Sequence, residues 1–229
     1  MTLIPKKLRA FPHVSEHNWL IHRLMIDFLE DAAALHALGV LVDIGCGKKP
    51  YQPLFAPYVI QHIGVDLAEA FERGASVDVI GTAYETNLED ISCDVVLCTE
   101  VLEHLEEPAV AIGEMCRILK PNGKVILTVP FFWHIHEEPR DFYRYTHFGL
   151  QYLFEKGGFE VLEVSPLSGY IVTFTQLSIY YLRRFQRGSI LQQSGRVFNW
   201  MLQKTALFLN RFDHSTKFSN VYGLVAKKV

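Results

Sequence analysis

Val40-Leu41-Val42-Asp43-Ile44 is an apolar run of strand length, and Gly45-Cys46-Gly47 cuts it off at once. That pairing constrains the chain more than any other feature. A run that is apolar at alternate positions on both sides suits a strand covered on both faces, as parallel sheets under helices require. Glycines directly behind such a strand let backbone approach a ligand with no Cβ in the way. In open α/β sheets ligands lie outside the carboxyl ends of the strands, where the strand order reverses. Asp66 follows Asp43 by 23 residues and closes a second strand-like run, Val59–Leu67. A carboxylate at that place can accept both hydroxyls of a ribose. Together these residues describe an adenosine-containing ligand lying across the first two strands.

The rest of the chain keeps the alternation of helix and strand. Asn18–Leu38 places Leu20, Ile21, Leu24, Met25, Phe28 and Leu29 on one helical stripe, and Gly39 stops it. Ser76–Ile80, Asp94–Cys98, Lys124–Val129, Phe159–Val164 and Val221–Lys227 are predicted as strands three to seven. Ala109–Leu119 and Thr146–Lys156 are predicted helices, closed by the turn Lys120-Pro121-Asn122-Gly123 and by Gly157-Gly158. The expected fold is α/β, a Rossmann-like, mostly parallel seven-stranded sheet with helices on both faces. Residues 1–229 are expected to form one domain. Residues 166–212 form a helical insert between strands six and seven, with helical stretches at Ile171–Gln186 and Val197–Phe212.

Composition narrows the class. Apolar residues make up 49% and charged residues 21% of the 229, which excludes disordered, collagen-like and coiled-coil chains. The net charge of −3 gives no case for nucleic acid as a partner. That total hides an asymmetry: residues 1–165 hold 13 basic and 24 acidic residues, whereas residues 166–212 hold six basic and no acidic ones. Cys46, Cys93, Cys98 and Cys116 form no CxxC pair and read as thiols of a reducing compartment. Met1–Ala10 has no apolar stretch behind its charges, and the charge-free stretch Val164–Leu182 is interrupted by Pro166 and Gly169. A cytoplasmic protein is expected, with the inner membrane surface as an added peripheral location.

A dinucleotide fingerprint needs a third glycine for helix–strand packing, and Lys48-Lys49-Pro50-Tyr51 follows Gly47 instead. VDIGCG, GVD at the end of the second strand, DVVLCTEVLEHLEEP and LKPNGKVILTVP resemble, in order and spacing, the motifs of class I S-adenosylmethionine-dependent methyltransferases of the type 11 kind. The resemblance covers roughly residues 40–165, and VYGLVAKK is similar to that family's last, antiparallel strand. It implies S-adenosyl-L-methionine as cofactor, with Asp43, Gly45, Cys46 and Gly47 around its methionine part. It further implies Asp66 on the ribose, Leu67 packed on the adenine, Thr82 and Ala83 at the adenine edge, and Thr99, Glu100 and Val101 beneath. Many relatives have an acid where Thr82 stands, and Lys48-Lys49 replaces the usual small residues. Read from the residues alone, Asp43 could satisfy amides of the glycine turn and Asp66 could cap the next helix. Cys46 has no charged neighbour in sequence and reads as a small filler rather than a nucleophile.

Methyl transfer requires the nucleophile to be held on the methyl axis and, for oxygen, a proton to be removed. Two clusters stand where such groups belong: Glu100-Val101-Leu102-Glu103-His104, and residues 130–145 with His134, His136, Asp141, Tyr143, Arg144 and Tyr145. The second resembles a subset of methyltransferases with an Asp-Phe-Tyr-Arg-Tyr run that modify glycans or similar polar metabolites. Imidazole titrates near neutrality, so His136 is the first candidate base, followed by His104 and His134. The same histidines could instead tie the loop to the body, and Asp141 could orient a histidine or pair with Arg144. Tyr143 and Tyr145 could line the pocket or pack. No metal is expected, since His134 and His136 lack a third ligand at a telling spacing. The function read here is methylation, on oxygen first, of a small-molecule, glycan or lipid-linked acceptor. Two alternatives stand beside it: a catalytically silent module of this fold docking on membrane or partner, and a nicotinamide-dependent oxidoreductase. The insert reads as a lid, a homodimer contact, or a membrane-surface element through residues 170–212.

Overall fold

The computed structural model describes residues 2–11, 13–213 and 215–229. In chain order these form α1 (Trp19–His36), β1 (Val40–Ile44), α2 (Gln52–Phe55), β2 (Gln61–Asp66), α3 (Ala68–Glu72), β3 (Val79–Ile80) and β4 (Cys93–Thr99). There follow α4 (Pro108–Ile118), β5 (Leu119–Pro130), α5 (His147–Lys156), β6 (Phe159–Pro166), α6 (Tyr170–Arg183), α7 (Ser189–Leu209) and β7 (Val221–Lys228). Single 3-10 turns lie at Lys6–Ala10, Leu102–His104 and Asn210–Phe212.

The strands make one sheet in the order β3-β2-β1-β4-β5-β7-β6. Strands β1 to β5 pair in parallel, and β7 runs antiparallel to both β5 and β6. The chain builds outward from β1 through β2 to β3, then returns to lay β4 on the other side of β1. The reversal falls between β1 and β4, so the crevice at their carboxyl ends is the ligand position this topology offers. Alternation along β4 divides the core. Val96 and Cys98 pack with Ile112, Met115 and Phe154 on one face, while Val95 and Leu97 pack with Trp19, Leu29 and Phe55 on the other. Asp94, near the start of β4, accepts a hydrogen bond from Val40 N (2.8 Å) and takes Lys120 Nζ (2.9 Å), fixing the start of β1. A Cβ on Gly39 would lie 2.1 Å from the Asp94 carboxylate, and Gly39 has φ +57°, so this approach requires glycine.

The elements differ from the expected ones where local geometry is spent on something other than the ladder. Lys120–Gly123, read as a turn, is carried inside β5 as an irregularity: Cys93 pairs Leu119 and Val95 pairs Lys124, with Asn122 at φ +63°. β3 shrinks to two residues because Ser76 N donates to Gly47 O and Asp78 accepts from Gly64 N, drawing this segment onto the glycine turn. α7 begins at Ser189, eight residues before the expected start. The short helices α2 and α3 are too brief to leave a periodic signature.

One buried carboxylate ties the β3–β4 connection to α4. Glu114 accepts hydrogen bonds from Thr86 N (2.7 Å), Thr86 Oγ1 (2.6 Å) and Arg117 Nε (2.7 Å). Burial pushes its carboxyl up, but the bonds from Arg117 and Thr86 outweigh that and hold it at about 2. A carboxyl held below its unfolded value stabilises the fold above that value and loses the contribution as pH falls through the folded one. Glu114→Gln should therefore cost about 1 kcal/mol at pH 6 and little near pH 2. Urea midpoints at the two pH values test this, and equal losses at both would contradict it.

Candidate active site

The glycine turn is shaped by its neighbours on β2. Gly45 N and Cys46 N both donate to Val65 O (2.9 and 3.3 Å), and Gly47 N donates to Asp66 Oδ2 (2.8 Å). Asp66 Oδ1 accepts from Leu67 N (2.8 Å). Asp66 thus holds the turn that was assigned to Asp43 as an alternative, and it caps no helix: the cap of α3 is Leu67, without a side-chain bond. Gly45 (φ +68°) is demanded by packing, since a Cβ there would sit 2.4 Å from Val101 Cγ2. Gly47 (φ +48°) has nothing within 4 Å of the corresponding point and faces open space.

Asp43 turns elsewhere. It is 2% exposed, and its Oδ2 lies 3.0 Å from His62 Nε2. Burial pushes the Asp43 carboxyl up, against the pull of His62. Asp43 lies beneath the glycine turn and lines neither lobe of the cleft over it. Sequence reasoning missed His62, whose only signal is its period-two relation to Gly64 and Asp66 on β2. Of the two unexpected lysines, Lys49 is buried, with Nζ on His62 O (3.1 Å) and paired with Asp78. Lys48 lines the cleft. Cys46 is buried as a filler, its thiol pushed up to about 12 by burial and by the charges of Asp43 and Asp66.

A cleft opens over the turn in two lobes that share Gly45, Asp66, Leu67, Val101, His104 and Arg140. The narrower lobe, about 340 Å³, adds Thr82, Ala83 and Tyr84. The wider lobe, about 760 Å³, adds Gly47, Lys48, Glu100 and Glu137. Thr82 Oγ1 accepts from Tyr84 N (3.1 Å) and Glu85 N (2.9 Å), so its oxygen belongs to a turn. Thr99 ends β4 and lines neither lobe. Glu100 sits at φ +53°, with Oε1 buried and without a hydrogen-bond partner. Thus of the eleven residues assigned to cofactor contact, the structure gathers Gly45, Gly47, Asp66, Leu67, Thr82, Ala83, Glu100 and Val101 on the cleft walls, and leaves Asp43, Cys46 and Thr99 behind them.

The loop between β5 and α5 clamps down on the segment after β4. Phe142 N and Tyr143 N donate to Glu103 O, Tyr145 OH to Leu102 O (3.0 Å), and Tyr143 OH to Glu106 O (3.0 Å). These tyrosines fasten the loop and do not line the cleft. Arg144 grips Asp141 through both terminal nitrogens (2.6 and 2.8 Å). That grip holds the Asp141 carboxyl well below the usual carboxylate range. Asp141 also accepts from the backbone His136 N (2.9 Å), so it pairs with Arg144 and holds the loop, while the His136 ring nitrogen Nδ1 lies 3.3 Å from its Oδ2 without a hydrogen bond.

The three candidate histidines are not equivalent. His104 lines both lobes, and its Nδ1 is hydrogen-bonded to Arg140 O. A carbonyl can only accept, so Nδ1 carries a proton, and in the neutral ring the lone pair is on Nε2. His136 stands behind it, ring centroids 4.8 Å apart and edge to face, and lines neither lobe. Burial pushes the imidazoles of His136 and His134 down, against the opposing charge of Asp141. His134 turns to Tyr180 and Trp133, with centroids at 5.0 and 4.7 Å. The sequence offered His134 and His136 no third metal ligand. The fold brings Glu103 to His104 and His136, with one donor atom of each within 4.8 Å of the others. Glu103 is fully buried with both oxygens unpartnered, and burial together with Glu100 pushes its carboxyl well up.

Residues 42–127 match the family model described as "Methyltransferase domain". The chain is 35% identical over 133 residues to a ubiquinone biosynthesis O-methyltransferase of Hahella chejuensis, an alignment covering 53% of each chain. It spans about half the length of the curated relatives it matches. Among solved structures, the [4+2]-cyclase SpnF superposes with a TM-score of 0.60 at 22% identity, over 89% of this chain and 79% of that one. Phosphoethanolamine N-methyltransferase 2 of Haemonchus contortus, solved with S-adenosyl-L-methionine, superposes with a TM-score of 0.56 at 18% identity, over 100% of this chain and 60% of that one.

Proposed function

We propose that this chain, which carries a class I S-adenosylmethionine-dependent methyltransferase domain, methylates a hydroxyl oxygen of a small polar acceptor. The observation that carries the reading is His104, which lines the Asp66–Leu67 cleft with Nδ1 tied to Arg140 O and Nε2 left as a base. The walls fit the cofactor: a carboxylate for the ribose hydroxyls, Leu67, Ala83 and Val101 for the adenine, and an open backbone curve at Gly47. When bound, S-adenosylmethionine supplies an electrophilic methyl on a sulfonium. The chain's own work is to orient the acceptor and to take its proton at His104 Nε2. The O-methyltransferase relatives favour oxygen, and an oxygen acceptor is the kind that needs such a base.

SpnF, a cyclase on the same fold, illustrates that the fold alone does not decide the reaction. A nicotinamide dinucleotide fits the sheet poorly, since β7 is intercalated antiparallel between β5 and β6 rather than following the 3-2-1-4-5-6 order. The test is incubation with methyl-labelled S-adenosylmethionine and matched phenol, sugar-alcohol and amine acceptors. Label on hydroxyl acceptors is expected. Label on amines alone would overturn the oxygen assignment, and cofactor binding with no transfer to any acceptor in cell extract would leave a silent module. Turnover abolished by a chelator and restored by a divalent ion would reassign Glu103, His104 and His136 to a metal.

Glu103 provides a separate check, because a carboxyl raised by burial weakens the fold progressively as pH rises from its unfolded value to its folded one, and by a constant amount above that. Glu103→Gln should raise Tm at pH 8 more than at pH 5, on the order of 2–4 °C for each kcal/mol relieved, while turnover falls. Thermal melts with parallel assays test the pair of effects. An unchanged Tm at both pH values would mean that the charge is not buried as described.

A further inference from the structure

Helix α7 buries mostly small and polar residues, with Trp200 and Leu207 packed at the edge of the core. The residues it buries are Gly195, Asn199, Gln203 and Ala206, and those it turns to solvent include Ile190, Val197, Phe198, Met201 and Phe208. Ile190 is 82% exposed, and Phe212 just beyond the helix is 71% exposed. α6 adds a second exposed row, Tyr170, Phe174 and Tyr181, continued by Phe185 in the connecting turn. A helix covering a soluble core shows the opposite arrangement. The orientation is pinned by polar bonds: Gln203 Nε2 donates to Glu16 O (2.9 Å), Gln203 Oε1 accepts from Leu20 N (3.2 Å), and Gln176 Nε2 donates to His17 O (2.7 Å). α6 buries Val172 and Ile179 beside Gln176, and rotating either helix to hide its exposed apolar row would break these bonds.

The charge on this face has one sign. Of the six basic residues in 166–212, Arg196 pairs with Glu16 (2.6 Å). Among the described residues, Arg183, Arg184, Arg187, Lys204 and Arg211 have no carboxylate within salt-bridge distance. The cations are interleaved with the exposed rings, Arg184 lying 5.0 Å from the Tyr181 ring centre and Arg211 6.0 Å from that of Phe208.

We propose that α6 and α7 dock this chain on an anionic lipid bilayer, lying in the interface with the aromatic rows inserted and the arginines among the headgroups. Large exposed apolar side chains with only basic charges are what a surface-lying helix pair on acidic lipid needs. A second copy is the poorer occupant, because a two-fold contact would set one uniformly cationic face against another. No helix among the described residues is long and apolar enough to cross a membrane, so the mode is lateral. The docked element also touches the loop after β5, Trp133 meeting Tyr180 at 4.7 Å and Phe132 meeting Phe174 at 6.2 Å.

The test is flotation of the full chain with vesicles of phosphatidylglycerol in phosphatidylcholine and with phosphatidylcholine alone, at low and high salt. Salt-sensitive binding to the anionic vesicles only is expected. The triple variant Arg183→Gln, Arg184→Gln, Arg187→Gln should weaken that binding on the order of 10²-fold. A second variant, Phe185→Ser with Ile190→Ser and Phe198→Ser, should abolish it, with unchanged circular dichroism and cofactor affinity in both variants. No binding at low salt, or equal binding to neutral vesicles, overturns the proposal. So does a stable dimer that the serine variant splits while the parent ignores vesicles.

Discussion

His104→Ala should lower turnover by about 10²–10⁴, the range for a positioned general base, while S-adenosylhomocysteine still binds within a few-fold. The expectation rests on place and protonation together. His104 stands on the wall common to both lobes of the cleft, and its Nδ1 is committed to Arg140 O. Nε2 is 3.6 Å from Glu103 Oε1 and 3.9 Å from Glu137 Oε2, beyond hydrogen-bond reach of either, and so remains available to an acceptor hydroxyl. His136→Ala should cost far less, because that ring supports His104 from behind and meets no cleft surface. A base role makes a further demand: an acceptor acidic enough to be ionised at the assay pH should recover much of the loss. Turnover and binding measured side by side decide the matter. Normal turnover in His104→Ala with a dead His136→Ala would reverse the two assignments, and equal failure with every acceptor would point to a positioning role.

Asp66→Ala should weaken cofactor binding roughly 10–100-fold, corresponding to about 1.5–3 kcal/mol for hydrogen bonds to a charged group. Two effects converge on this carboxylate. Its oxygens accept from Gly47 N and Leu67 N, so it holds the glycine turn at the curvature that leaves the cleft open. Each oxygen retains a second lone pair for a ribose hydroxyl. Asp66→Asn keeps one acceptor for a turn amide and should fall between the parent and Asp66→Ala. Calorimetric titration with S-adenosylhomocysteine, beside a thermal melt, separates the outcomes. Unchanged affinity in both variants would remove the ribose from this position.

What could be read without the fold was whatever short-range chemistry dictates. The β1 run, the glycine turn and Asp66 are local signals, because a five-residue run with four apolar positions stopped by glycine has few other uses and the acid closes the next strand. The alternation of elements determined a mostly parallel sheet, and the motif resemblance supplied the antiparallel last strand found as β7. The histidine order was not legible: His136 and His104 are 32 residues apart, and only the clamp of Phe142, Tyr143 and Tyr145 on Leu102–Glu106 decides which ring meets the cleft. The contact between Asp43 and His62 was likewise not legible, because it exists only once β2 lies beside β1.

The insert marks the boundary most sharply. Its sequence determined that two helices with apolar and basic residues lie between β6 and β7, since periodicity reports which side chains share a face. Periodicity carries no information about which face turns inward, and burial of apolar residues is the usual guide. Here Gln176 and Gln203 find backbone partners just before α1, so polar residues are buried beside Val172 and Ile179 while a long row of apolar side chains is left to solvent. Those partners lie more than 150 residues away in the chain, and such a pairing exists only once tertiary structure has brought them together.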